Sequence, residues 1–434
     1  MRVTVMGLGL FGGGLGAALH YARRGDEVLV TDLASAADLA PSLQALEGQG
    51  RLEFILGRHR RTDFIEADLV IASPAVPMEH PLLEEARRRG VRVATELELF
   101  LELCPAPILA ISGSNGKTTT CRMVERLLEA AGRAPRSCGN MGISLLPEAA
   151  DLPSTEPVVL EISSFQLERL QDAPRFSNAL LLPVTPNHLD RHGDFEHYAS
   201  AKGRLLQLTR VGGSVVLDAT CSVGRRLARA LRPGRSPIWL APHEEQRCVP
   251  ALPHLLGAFN RRNFAAARKL VEAWLEEDLT DAAVRRAAET LRPLPHRMEP
   301  VGPRRPPRFV NDSKSTTPAA AHAAVTALDR PVHLIAGGAD KGVDPVHMAP
   351  AFAPCASVHL MGATGRALRP FAQDLVERVT CHPDLEGAIQ AATAAAGPGE
   401  VILLSPGHAS YDLYRDYRER GEHFRDLARH RDEV

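Results

Sequence analysis

Short hydrophobic runs recur along the chain, and each stops abruptly on glycine, serine or an acid. Val3–Met6 runs into Gly7, Glu27–Thr31 into Asp32, and Leu69–Ala72 into Ser73-Pro74, with Val91–Ala94 after them. Ile108–Ile111 ends at Ser112-Gly113, the run from Val158 ends on Glu161, and Ala179–Val184 ends at Thr185-Pro186-Asn187-His188. Phe309-Val310, Val332–Ala336, Val358–Met361 and Val401–Leu404 repeat the pattern in the last third. Apolar runs this short, bounded by turn residues, predict buried strands. Between them the period changes to three and four residues, as at Met123, Val124, Leu127 and Leu128, which predicts helices. A helix is expected after Gly12 to about Arg24, another around YASAKGRLLQL, and an Ala-rich one after Leu256. The charged stretch from about Tyr411 predicts an amphipathic, solvated helix. Strand and helix in alternation predict an α/β protein with mostly parallel sheets, whose chemistry collects at the carboxyl ends of the strands.

Two proline-rich stretches divide the pattern. Cys104-Pro105-Ala106-Pro107 separates a Rossmann-like N-terminal domain (1–103) from a central P-loop ATPase-like domain (104–298). GPRRPPR at 302–308 lies at the start of a C-terminal Rossmann-like domain (299–434). The chain has 434 residues, 44% of them hydrophobic and 24% charged, enough to bury several cores. A net charge of −1 and 5% aromatic residues give no footprint for nucleic acid and no base-stacking platform. No run is long enough to span a membrane, and MRVTVMGLGLFGGG reads as a first strand, not a signal peptide. Seven cysteines without a C-x-x-C pair fit reduced thiols in a cytoplasmic protein and no zinc site.

The strand ends carry the chemistry. In ILAISGSNGKTTT a strand, a glycine loop and a helix follow one another, the order a phosphate-binding loop requires. Lys117 would reach the β/γ-phosphates and the Thr118 hydroxyl a Mg²⁺ ion. The loop is short: Ile111 stands where the usual motif has its first glycine. Gly7-x-Gly9-x-x-Gly12, with Asp32 twenty residues further on, is a dinucleotide-type fingerprint that names NAD as a rival ligand. Glu161 stands where a carboxylate approaches Mg²⁺ beside a phosphate loop; a surface carboxylate is the alternative. His188 and Asp190 lie just past another strand end. Asn260 is placed to cap the Ala-rich helix, and Asn263 shares its first turn, within reach of a base or ribose. Asn311-Asp312-Ser313-Lys314, Gly337-Gly338-Ala339-Asp340-Lys341 and Ser405-Pro406-Gly407-His408 end strands of the last third.

Lysine usage sharpens the list. Of 51 basic residues only Lys117, Lys202, Lys269, Lys314 and Lys341 are lysine. A chain so biased toward arginine keeps lysine where a guanidinium fails: a phosphate cradle, or an amine that must lose its proton. Lys269, within FAAARKLVEAW, is expected to be a solvated surface lysine.

The run GSNGKTT, EISSFQLE, PNHLDRH, AKGRL, GAFNRRN, LPHR, NDSKST, GGADKG and SPGHASYD, in this order, resembles the Mur ligases of peptidoglycan synthesis, and within them the D-glutamate-adding branch. The resemblance implies a monomeric, soluble, cytoplasmic three-domain enzyme that joins D-glutamate to UDP-N-acetylmuramoyl-L-alanine, with ATP and two Mg²⁺ ions. It implies that Gly113, Ser114, Asn115, Gly116, Lys117, Thr118 and Thr119 hold the ATP phosphates. It also implies ATP contacts from Asn260, Asn263, Arg297 and Asp312. Thr118 and Glu161 would hold one metal, and His188 with a carbamylated Lys202 the second. Gly9, Leu10, Asp32, Ser73 and Asn140 would meet the uridine substrate. Thr316, Lys341, Ser410 and Tyr417 would meet D-glutamate, with Lys314 lining the cleft. Lys117, His188, Lys202, Arg297 and Lys314 form the implied catalytic set. The chain departs from the family at Leu33-Ala34, where some members have Thr-Arg, at His408 in place of cysteine, and at Tyr417 in place of phenylalanine.

Overall fold

The computed structural model describes residues 1–429 except Phe11, Arg232, residues 303–306 and Lys341, and does not describe the Leu189 and Asp190 side chains. Three sheets follow one another along the chain. The first contains β1 (Arg2–Met6), β2 (Glu27–Asp32), β3 (Leu52–Leu56), β4 (Leu69–Ala72) and β5 (Arg92–Ala94). It is parallel throughout, in the order β3-β2-β1-β4-β5. The second contains β6 (Ile108–Ser112), β7 (Arg136–Gly139), β8 (Val158–Glu161), β9 (Asn178–Leu181), β10 (Ser214–Asp218) and β11 (Ser236–Leu240). It too is parallel, ordered β11-β10-β9-β6-β8-β7. The third contains β12 (Glu299–Val301), β13 (Arg308–Asn311), β14 (Val332–Gly337), β15 (Ser357–Met361), β16 (Val379–His382) and β17 (Val401–Leu404). Its order is β12-β13-β17-β14-β15-β16, with only β12 antiparallel to its neighbour.

The chain forms two compact units, Met1–Glu244 with Ala265–Val284, and Glu245–Phe264 with Arg285–Val434. The first unit holds two sheets because one apolar cluster runs through both. The helix Glu96–Leu103 contributes Leu97, Leu99, Phe100 and Leu101 to it, between Val3 and Val5 of β1 and Ile108 and Ala110 of β6. In the second unit the period of two divides each central strand between two cores. Val332, Leu334 and Ala336 of β14 face one, with Val401 and Leu403 of β17. Ile335, Ile402 and Leu404 face the other. No helix among the described residues is long and apolar enough to cross a membrane.

Each predicted strand is present within a few residues, and β3, β7, β10, β11, β12 and β16 are additional. Three expectations fail locally. The last helix spans Tyr417–Arg429, not from Tyr411. Its first turn is capped by Asp416, which accepts from the N–H of Arg418 (2.8 Å) and Glu419 (3.0 Å). This helix is not simply solvated, because Arg420, Phe424 and Ala428 are buried. Asn260 does not cap its helix but lies inside Ala258–Leu275, with its amide nitrogen bonded to Leu256 O at 2.6 Å. Lys269 is not a free surface lysine: it pairs with Glu244 at 2.6 Å.

Candidate active site

The carboxyl ends of β6 and β9 are adjacent in the second sheet, and their connections leave in opposite directions. A parallel sheet opens a crevice at such a point. Gly113 and Gly116 bring the chain around with φ of 149° and 80°. A Cβ on Gly113 would lie 2.5 Å from the Leu182 Cβ, so the loop passes against β9 only without a side chain. The helix Lys117–Ala130 then points its N-terminus into the crevice, presenting Lys117, Thr118 and Thr119 in its first turn. Lys117 Nζ donates to Gly113 O (3.1 Å) and Ser114 O (3.2 Å), which holds the ammonium inside the loop.

Ser114 makes contacts beyond those its motif position suggests. Its N–H bonds to Pro183 O at 3.1 Å, and its hydroxyl to Thr185 O at 2.9 Å and the Tyr198 hydroxyl at 2.9 Å. It ties the phosphate loop to the segment after β9; Asn115 is the exposed tip.

Glu161, the last residue of β8, is buried, which overturns the surface-carboxylate alternative. Asn140 fixes it, its Nδ2 donating to Glu161 Oε1 at 2.9 Å and its N–H to Glu161 O at 2.8 Å. The other oxygen, Oε2, is buried with no hydrogen-bond partner. A buried anionic oxygen without a donor is costly, and a cation would satisfy it. Lys202 is also buried, four residues from Tyr198 on the helix Phe195–Gln207, with Nζ 4.8 Å from the centre of that ring. Burial, with Lys117 adding to it and Glu161 opposing, pushes the Lys202 ammonium well below its ordinary range. Burial therefore favours the neutral amine over the ammonium. Burial also raises the Tyr198 phenol to about 12. His188 has a φ of 54°, in the left-handed region that non-glycine residues avoid, and its exposed ring meets Phe165 edge-on at 5.1 Å. The residues fit a divalent cation, although no group of three or more His, Cys, Asp or Glu side chains arranged to hold a metal ion occurs among the described residues. The expected donors include a threonine hydroxyl and a modified lysine, which lie outside those residue types.

At the carboxyl edge of the first sheet, Gly12 caps the helix Gly13–Arg23 and touches the second sheet's segment after β7. A Cβ on Gly12 would lie 2.5 Å from Gly142 O. Leu10 is half-exposed at this edge, and Ser73 packs against Gly7, where a Cβ would be 2.8 Å from its own. Asp32 is committed to the loop itself. One carboxylate oxygen accepts from Leu8 N–H (2.8 Å) and Gly9 N–H (3.2 Å), the other from Ala34 N–H (2.9 Å). The carboxylate thus orders the loop through three backbone N–H groups. Behind the loop Glu96 accepts a short bond from the Ser144 hydroxyl, and burial raises its carboxyl to about 7.

In the second unit Asp312, Lys314 and Ser410 follow the carboxyl ends of strands of the third sheet. Asp312, after β13, is buried and accepts from Met298 N–H (3.1 Å) and the Ser405 hydroxyl (2.8 Å). Burial raises its carboxyl to about 6. Lys314 stands 3.8 Å from the centre of the Tyr417 ring, and burial lowers its ammonium. Thr316 is half-buried and Ser410 buried, while Arg420, itself buried, holds Ser313 O (3.0 Å), His408 O (3.2 Å) and Ala409 O (3.1 Å). Arg297 and Asn263 are half-buried, and Lys341 lies outside the described residues.

Comparison with known proteins decides the family. Residues 1–95 match the MurD-like N-terminal domain of Mur ligases, 111–250 the Mur ligase middle domain, and 296–408 the Mur ligase glutamate ligase domain. A protein of Roseiflexus sp. (strain RS-1), UDP-N-acetylmuramoylalanine--D-glutamate ligase, is 36% identical over 98% of both chains. One of the same name from Acidobacterium capsulatum is 35% identical over 98% of this chain and 96% of its own. The chain belongs to the Mur ligase family. The fold agrees: the crystal structure of UDP-N-acetylmuramate-alanine ligase from Thermotoga maritima superposes with a TM-score of 0.62 over the whole of both chains, at 19% identity.

Within this Mur ligase the sequence reading missed Tyr198, Phe165, Arg169 and Arg191, which surround the expected residues. Only Tyr198 left a signal, its four-residue spacing from Lys202 on one helix face. Phe165 is stacked on His192 at 5.0 Å and 7°, and Arg191 lies 4.5 Å over its ring.

Proposed function

We propose that this Mur ligase is the ATP-dependent enzyme that joins D-glutamate to UDP-N-acetylmuramoyl-L-alanine. The observation that carries the reading is the cluster of Lys117, Glu161 and Lys202 at one switch-point crevice, in a chain aligned end to end with relatives bearing that name. A carboxylate is a poor electrophile, so the γ-phosphoryl group of ATP passes to the substrate carboxylate and gives an acyl phosphate. The amine of D-glutamate adds to the acyl carbon, and the tetrahedral intermediate collapses with loss of inorganic phosphate. Charge grows on phosphoryl oxygens throughout, so fixed cations and N–H donors stabilise the transition state. Lys117 and the helix N-terminus supply both. Thr118 and Glu161 would hold one Mg²⁺, and His188 with the carbamate of Lys202 a second; bound there, the ions neutralise phosphate oxygens. Lys202 suits carbamylation because burial favours the neutral amine, the form that adds CO₂ with loss of a proton, turning a cation into an anionic ligand.

We assign Gly9, Leu10, Asp32, Ser73 and Asn140 to the uridine substrate, with Asp32 also holding the loop's N–H groups. Asn260, Asn263, Arg297 and Asp312 are assigned to ATP, and Thr316, Lys341, Ser410 and Tyr417, with Lys314, to the D-glutamate side. The three sheets are proposed as three functional domains, 1–103, 104–298 and 299–434.

The test is phosphate release from ATP with UDP-N-acetylmuramoyl-L-alanine and Mg²⁺, with and without D-glutamate. Release that needs both substrates and yields the amide supports the reading. Release with another amino acid moves the specificity to a sister ligase, and no turnover with any pairing overturns it.

A further inference from the structure

After β4 the chain runs Ser73-Pro74-Ala75-Val76 along the carboxyl edge of the first sheet, and a guanidinium from the second sheet's connections meets each of these four carbonyls. Arg169 donates to Ser73 O at 3.0 Å and to Val76 O by a shorter bond. Arg191 donates to Pro74 O at 3.1 Å and to Ala75 O at 3.4 Å. Arg169 ends the helix Ser164–Arg169, which follows Glu161 and β8, and Arg191 lies in the turn Leu189–His192, which follows His188. The two arginines therefore reach the substrate edge of one sheet from the two segments that carry the metal candidates of the other.

Arg191 makes a second contact, with its guanidinium carbon 4.5 Å over the Phe165 ring. That ring meets His188 at 5.1 Å and stacks on His192 at 5.0 Å. His192 is fixed in turn by the Ser164 hydroxyl at 3.0 Å and Glu168 at 3.0 Å. A planar fork is what such a contact requires: it spans two carbonyls at once, whereas an ammonium is a point donor.

We propose that Arg169 and Arg191 are positioning residues of the ligase, clamping the substrate loop after β4 to the segments bearing Glu161 and His188, with Phe165 as the link to His188. This rests on the assignment of the Ser73 edge to the uridine substrate. The two arginines act differently. Among the described residues the side-chain hydrogen bonds of Arg169 go to the loop, so its loss acts on binding. Arg191 touches the loop and Phe165, so its loss acts on binding and on turnover.

The experiment is steady-state kinetics of the full chain, beginning with the wild type on UDP-N-acetylmuramoyl-L-alanine, D-glutamate and ATP. Arg169→Ala is expected to raise KM for the uridine substrate about tenfold, equivalent to about 1.4 kcal/mol, with KM for ATP and kcat within about twofold of wild type. Arg191→Ala raises the same KM and also lowers kcat. Arg169→Lys keeps the charge and the stem but loses the fork, and shows the same rise if Arg169→Ala does not fold. Phe165→Leu lowers kcat and raises the Mg²⁺ concentration needed, with KM for the uridine substrate unmoved. An unchanged uridine-substrate KM in Arg169→Lys and Arg169→Ala overturns the clamp, as does an equal rise in KM for ATP, which marks general loss of structure. A silent wild type sinks the ligase assignment; an active wild type with an unaltered Arg169 variant sinks the clamp alone.

Discussion

Replacing Glu96 by glutamine should remove a specific part of the protein's pH dependence. Glu96 opens the helix Glu96–Leu103, and its carboxyl is enclosed between Ser144, whose hydroxyl it accepts, and Gly13, where a Cβ would lie 3.8 Å from Oε2. Burial raises its pKa from 4.5 to about 7, with the Ser144 bond opposing. Between these values the folded chain holds a proton that the unfolded chain has lost. The stability this gives is complete below the unfolded value and disappears as the pH rises through about 7. At about 1.36 kcal/mol per pH unit, the interval is worth about 3 kcal/mol. Asp312 adds a slope of the same sign in the second unit, its pKa raised from 3.8 to about 6, so the wild-type curve alone does not isolate Glu96. The difference between Glu96→Gln and wild type does. Glutamine keeps a carbonyl oxygen for Ser144 and carries no charge. Both tryptophans, Trp239 and Trp274, lie in the same unit as Glu96, so their fluorescence follows the relevant unfolding. Urea melts from about pH 5 to about pH 8 should show the variant gaining on wild type as the pH rises, by up to about 3 kcal/mol. Two parallel curves would refute the argument that this carboxyl is held neutral by its surroundings.

The same reasoning extends to three further substitutions. Glu161→Gln removes a buried anionic oxygen that lacks a donor, so the protein should melt no lower and gain about 1 kcal/mol, while phosphate release falls by at least about a hundredfold; a stable, active variant would count against a metal at Glu161. Lys202→Ala should lose most activity, and added bicarbonate or a short-chain carboxylic acid should restore part of it; restoration by neither would argue against the carbamate. Gly12→Ala places a Cβ 2.5 Å from Gly142 O at a φ of 69°. It should cost about 1–3 kcal/mol in thermal unfolding and weaken binding of the uridine substrate by calorimetry.

What the sequence disclosed, and what it hid, follows from how each contact is made. Strand ends were legible because a buried run and the turn residue that stops it are adjacent in the chain, as at Ile111 to Gly113 or Ala72 to Ser73. Lys202 was legible for another reason: in a chain this rich in arginine a retained lysine is itself a signal, and the structure buries it. Asp32 was legible as the carboxylate that ends β2, but its bonds to the N–H groups of Leu8, Gly9 and Ala34 were not, since a carboxylate at that spacing serves a ribose or the loop's own N–H groups equally well. The clamps left no trace. A guanidinium paired with a carboxylate writes two letters into the sequence, one at each end, and the pair can be sought. A guanidinium or hydroxyl bonded to a carbonyl writes only one, because every residue carries that acceptor. Ser114 on Thr185 O, Arg169 on Ser73 O and Arg191 on Ala75 O are all of this kind, and they join residues 71, 96 and 116 positions apart. The contacts that set one segment of this site against another are therefore the ones a single sequence is least able to declare, and the ones most worth testing by substitution.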